Sequence, residues 1–159
     1  MNVRSFGSNR SEDLLDKLKH DFWRLQADAG QATMLYTAFD FFVMAYSLVD
    51  CERNAKKLNR KQVNALYDPI RIKICADLAN GSKHFRLTKP PKTTLTTHSS
   101  RPLCEPELYQ RRLYQDSWQA WVELSTSEAA AAGVPTTCPV MTLATEVLTY
   151  WRRYFGRTV

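Results

Sequence analysis

Apolar residues recur at Leu14, Leu18, Phe22, Leu25 and Ala29, in steps of four, four, three and four, which is the period of one helical face. The spacing predicts a helix over about 12–29, with Ser11 as its N-cap and Glu12, Asp13 and Asp16 in the first turn, where carboxylates meet the positive end of the helix. Gly30 ends or interrupts it. From Ala32 to Val49 the chain is apolar on nearly every side. A membrane span needs about 20 predominantly apolar residues. Here Asp40 sits near the middle, and Asp50, Glu52, Arg53, Lys56 and Lys57 follow at once. The pattern predicts a central helix buried on most of its circumference. A short helix around Val63 and Leu66 comes next, over 59–67. Asp68-Pro69 then restarts the pattern, with Asp as N-cap and Pro at the first helical position. Ile70, Ile74 and Leu78 give the following buried face, with Cys75 alongside, and Asn80-Gly81 reads as its C-terminal stop.

Beyond Gly81 the period changes. His84-Phe85-Arg86-Leu87 reads as a short strand, and Pro90-Pro91, the Thr93-Thr94 and Thr96-Thr97 pairs and Ser99-Ser100 read as an exposed connection with an extended edge segment. Trp118, Ala120, Val122 and Leu124 alternate with Gln119, Trp121 and Glu123, which predicts a second strand within 114–124, pairing with the 84–88 segment. A brief alanine-rich turn is expected within 127–135. Val140, Ala144, Val147, Leu148, Trp151 and Phe155 then mark one face of a last helix over about 139–154, with Arg152 and Arg153 at its end. The expected fold is mainly α, four-helix-bundle-like, with a small antiparallel β-hairpin between the third and last long helices. Residues 1–10 form a flexible polar arm, and 11–159 a single helical domain with its β insertion at about 84–124.

The length of 159 residues suits one domain, and 44% hydrophobic with 24% charged residues excludes global disorder. The net charge of +6 admits an acidic partner without requiring one. The excess lies late: from Ser82 to Gln115, Lys83, Arg86, Lys89, Lys92, Arg101, Arg111 and Arg112 stand against only Glu105 and Glu107. A solvated basic loop and a phosphate-attracting segment both fit. Cys51, Cys75, Cys104 and Cys138 show no metal-knuckle or redox-dithiol spacing. With a polar start that has no signal-peptide core, they point to a cytoplasmic protein with reduced thiols and no membrane association.

No glycine-rich phosphate loop, paired-histidine zinc motif or nucleophile constellation is recognisable by spacing, so no metal and no cofactor is expected. Two places invite chemistry. Asp40 is expected as a buried polar group, because a carboxylate in a buried helix needs a hydrogen-bonding partner or a proton. The alternative is a position at the helix edge, facing water. The segment Asp77 to Phe85 gathers a carboxylate, an amide, a hydroxyl, an ammonium and an imidazole. These side chains either hold a helix-to-strand corner, or place His84 for acid–base catalysis with Asn80 orienting it. Lys83, Arg86, Arg111 and Arg112 are the candidate nucleic-acid contacts. Tyr109, Tyr114, Trp118 and Trp121 lie near them; aromatics beside cations can stack on unpaired bases, but alternating aromatics in a strand are more often packing residues, and Trp118 and Trp121 are expected in the core or at a dimer interface.

The string Ala79-Asn80-Gly81-Ser82-Lys83-His84-Phe85, followed by a short sheet and a final helix carrying Tyr150-Trp151-Arg152-Arg153-Tyr154-Phe155, resembles a group of prokaryotic or phage helical proteins. That group is similar in turn to the HEPN superfamily of four-helix-bundle proteins. The superfamily's ribonucleases carry an Arg-Asn-three-residues-His motif, matched here by Asn80 and His84, with Ala79 at the arginine position. The resemblance implies a homodimer whose two copies form a metal-independent RNA-cleaving site.

Three expectations follow. The first is a non-catalytic interaction or accessory protein of HEPN-like form, with a protein partner. The second is an RNA-binding protein or ribonuclease using His84. The third is a small-molecule-binding bundle with its cavity near Asp40, Tyr36 and Tyr46.

Overall fold

A computed structural model describes residues 10–27, 31–83, 92–94, 96–100 and 119–157. Helix α1 (Ser11–Ala27) begins where the polarity pattern places it. Ser11, however, is the first helical residue rather than the N-cap, and its hydroxyl turns inward to Glu52. Leu15, Leu18 and Leu25 are its fully covered apolar residues, while Leu14 and Phe22 pack at the margin. The stripe is thus rotated from the expected one and takes in Asp21, whose buried charge is met by Lys17 and by Arg24 at 3.5 Å.

Helix α2 (Gln31–Lys56) packs against α1, α4 and α6. It buries Phe41, Ala45, Leu48 and Val49 completely, but its covered residues, from Met34 to Glu52, form one helical stripe rather than most of the circumference, as expected from sequence, and Leu35 and Tyr36 face outward. The stretch Thr33–Lys56 is long and apolar enough to cross a membrane by length and composition alone; here it is the core of a helical assembly. The helix runs a further two turns past Val49. It stops at Lys57, which takes a left-handed backbone (φ 50°), while the Leu58 N–H closes back onto the Arg53 carbonyl at 3.1 Å.

Asn59 caps α3 (Arg60–Tyr67) in a reciprocal box with Gln62. At the next helix, α4 (Ile70–Lys83), the Pro69 carbonyl accepts the first amides, from Ile72 and Lys73. Asp68 does not cap it; its carboxylate meets Lys73 instead, at 2.8 Å. Helix α4 also continues through Asn80-Gly81 to Lys83. Glycine costs a helix interior about 0.5–1 kcal/mol relative to alanine, and the buried run Ile72, Ile74, Cys75, Ala76 and Ala79 outweighs that preference.

The sheet has three antiparallel strands in the order β1 (Thr96–Ser100), β2 (Gln119–Glu123) and β3 (Thr137–Pro139). Strand β2 falls where alternation predicts it. Its partners differ from the expected hairpin: Thr97 and Cys138 flank Val122 on either side, and the extended edge segment expected in the Thr/Ser stretch is the edge strand β1. The 84–88 segment lies outside the described residues, as does the 1–9 arm. Between β2 and β3 the alanine-rich turn is a helix, α5 (Thr126–Ala132), with a Ser125–Glu128 capping box and Gly133 in the left-handed conformation at its end. Helix α6 (Val140–Tyr154) buries Val140, Leu143, Ala144, Val147, Leu148 and Trp151, the expected face. The fold is mainly α, helical-bundle-like, with this small sheet packed on α2 and α6.

Candidate functional site

The first turns of α2 carry Leu35, Phe39 and Phe42 on one side, at helical steps of four and three. Opposite them stand Ala120, Trp121 and Val122 of β2 and Thr97 of β1, with Leu78 of α4 and Val140 of α6 closing the ends. Together with Tyr36 and Ala38 they enclose a cleft of about 500 Å³. Ala120 and Val122 are buried because strand alternation turns both towards the helices. The mouth is different: Tyr36 is 71% exposed and Leu35 41%. Among the described residues, no ionisable group other than the Tyr36 phenol lines the space. Its chemistry is that of an apolar, partly aromatic surface with a hydroxyl at the rim.

Three polar clusters frame this region and hold its walls. Asp77, buried on α4, accepts from the Lys92 N–H (2.9 Å), the Thr93 N–H (2.6 Å) and the Thr93 hydroxyl (2.7 Å), so it pins the chain just before β1. Lys92 then lays its ammonium over Tyr46 and Tyr67, 5.4 and 5.2 Å from the ring centres. Tyr67 donates its hydroxyl to Asp50 at 2.8 Å, and burial together with that acceptor drives its pKa up. Glu128 accepts from the Thr94 N–H and hydroxyl as well as from Ser125 of its own capping box. Burial works to raise its pKa, but these hydrogen bonds outweigh it and hold the carboxyl at about 2.

The most deeply placed carboxylate is at the other end of α2. Glu52, fully buried, accepts from the hydroxyls of Ser11 and, at 2.7 Å, Tyr154, and lies 2.7 Å from the Lys56 ammonium. Burial alone raises its pKa; the Lys56, Ser11 and Tyr154 hydrogen bonds prevail and keep it below the ordinary value. The Lys56 ammonium also sits 4.9 Å from the Tyr154 ring centre. The cluster closes a junction of α1, α2 and α6.

The residues nominated from sequence are distributed as follows. Asp40 is not a buried polar group: its side chain is 46% exposed and pairs with Arg24 at 3.6 Å, linking α2 to α1. Tyr46 is covered by Lys92, so neither it nor Asp40 borders the cleft; of the three residues proposed around a cavity, only Tyr36 does. Asn80 is half-buried near the end of α4, next to the buried Ala79, and Lys83 is the last residue of that helix. His84, Arg86, Arg111 and Arg112 lie outside the described residues. Cys51, Cys75 and Cys138 are free thiols, and among the described residues no group of His, Cys, Asp and Glu has the arrangement of a metal site. Sequence reasoning missed Glu52 and Glu128, and of the residues it set around a cavity only Tyr36 lines the cleft. Glu52 had a signal, since it stands four positions after Leu48 and seven after Ala45, on the buried face.

Compared with protein-family models, with curated proteins and with solved structures, the chain matches none.

Proposed function

We propose that the protein is a non-catalytic binding protein, an interaction or accessory module whose cleft between α2 and the sheet takes an apolar small molecule. The observation that carries this reading is the cleft's size and lining. Its volume of about 500 Å³ falls within the range of small-molecule sites, about 300–1,000 Å³. Leu35, Phe39, Phe42, Leu78 and Trp121 offer contact area for apolar surface, and Tyr36 offers one hydrogen-bonding group at the mouth to orient it. Binding there is driven by burial at roughly 25 cal/mol per Å² of apolar area. Cytoplasmic residence with reduced thiols belongs to the same proposal and is supported by Cys51, Cys75 and Cys138, free thiols among the described residues.

Titration with an uncharged apolar dye, N-phenyl-1-naphthylamine, tests it, read by dye fluorescence and by amide shifts in two-dimensional NMR. Saturable binding with shifts gathered at Thr97, Ala120 and Trp121 is expected. The double variant Leu35→Gln, Tyr36→Ser alters exposed positions only and is expected to weaken binding about tenfold, the equivalent of about 1.4 kcal/mol. Shifts gathered elsewhere, or dye binding equal in the variant, refute the cleft as the binding site.

A further inference from the structure

A second hollow, of about 200 Å³, lies between α4 and α6 and is unrelated in chemistry to the apolar cleft. Glu146, Thr149, Tyr150, Arg153 and Tyr154 share one side of α6 at steps of three, one, three and one, and Arg71 reaches across from the first turn of α4. Gly133 lies beside it: a Cβ built there would stand 3.3 Å from Arg71 Nη2. The Arg71 Nη2 donates to Glu146 Oε2 at 3.2 Å, and its buried Nε has no hydrogen-bond partner. Among the described residues no carboxylate pairs with Arg153. The Tyr154 hydroxyl is committed to Glu52. Among the described residues the Tyr150 hydroxyl has no partner, and burial raises its pKa, so the phenol stays protonated and able to donate.

We propose that this hollow binds the phosphate group of a small phosphomonoester. Two guanidinium groups against one carboxylate leave it net positive, and a guanidinium fork matches oxyanion geometry. Glu146 acts as the internal anion that holds Arg71 in place; the incoming phosphate competes with it for Arg71 and draws in Arg153 and the Tyr150 hydroxyl. A terminal phosphate fits the volume, whereas a phosphodiester would need room for chain on both sides.

The test is titration of the intact protein with inorganic phosphate at constant ionic strength, following the Nε–H correlations of Arg71 and Arg153 by NMR, with chloride as control. Saturable shifts of both signals with phosphate but not with chloride are expected. Arg153→Gln is expected to weaken phosphate about tenfold, the loss of one charge-assisted hydrogen bond. Glu146→Gln has the opposite sign and tightens it, because it removes the competing carboxylate. Phenyl phosphate is expected to bind like inorganic phosphate, and dimethyl phosphate not to bind. Overturning results are shifts that match chloride, weaker phosphate binding in Glu146→Gln with an unchanged melting temperature, or dimethyl phosphate binding as well as phenyl phosphate.

Discussion

Helix α2 is finished in two different ways. At its C-terminal end, Glu52 is wholly covered and its oxygens are taken up by Ser11, Lys56 and Tyr154, so that α1 and α6 are drawn onto the helix by one carboxylate. At its N-terminal end, the same apolar helix is left with Leu35 and Tyr36 facing out over a cleft, and the carboxylates are displaced to the periphery: Asp40 to Arg24, Asp77 to Lys92 and Thr93, and Glu128 to Thr94. The first end is closed by desolvated polar contacts, which are costly to leave unmade. The second is walled by apolar side chains whose surface is not fully covered. One helix therefore carries both a structural seal and a binding surface, and the difference lies in where the charges fall.

The sharpest way to break this contrast is Glu52→Ala. It leaves two hydroxyls without their acceptor and the Lys56 ammonium without its partner, and is expected to cost about 2–4 kcal/mol in chemical denaturation. A cost within 0.5 kcal/mol of zero, on the order of a surface substitution, would erase the distinction between the ends. At the cleft end, Glu128→Ala removes a capping partner and the anchor of Thr94, for about 1 kcal/mol. Glu128 also sets a pH signature. Its folded pKa lies below the ordinary value of 4.5, at about 2, so the stability it contributes is complete above 4.5 and is lost as pH falls towards 2. The decline in stability between pH 5 and 2 is thus expected to be shallower in Glu128→Gln than in the unmodified protein; equal slopes contradict the assignment.

Two smaller effects sharpen the picture. Lys57→Gly relieves a left-handed backbone at the end of α2 and is expected to raise stability by about 0.5 kcal/mol, the strain relief partly offset by glycine's own entropy. Tyr36→Ala, at an exposed position, is expected to shift the melting midpoint by no more than about 0.5 kcal/mol equivalent while impairing dye binding.

The helices were legible because their burial is local and periodic. Val140, Ala144, Val147, Leu148 and Trp151 announce α6 without help from any distant residue, and the apolar run through Phe41 and Val49 announces a central helix. Strand β1 was not legible in the same way. Thr96-Thr97-His98-Ser99-Ser100 has no apolar alternation, and its strand character comes from pairing with β2 across the register Thr97 to Val122. Continuation of α4 through Gly81 was likewise hidden, because the buried residues that sustain it outweigh a local preference. The apolar cleft depends on side chains from five elements, and no spacing within one element discloses it. Asp40 and Glu52 make the point on a single helix. Asp40 stood out against its apolar neighbours but is half-exposed, while Glu52 sat unnoticed among the charges after Val49 and is the buried one.

The partners of Glu52 lie far from it along the chain, Ser11 at a separation of 41 residues and Tyr154 at 102. Contacts of that separation are gained only after the entropy of closing the intervening loops has been spent. The carboxylate thus locks an assembly that has already formed. Its removal is expected to leave the refolding rate nearly unchanged and to speed opening of the native chain, so the lifetime of the folded state, more than the route to it, is set by one glutamate.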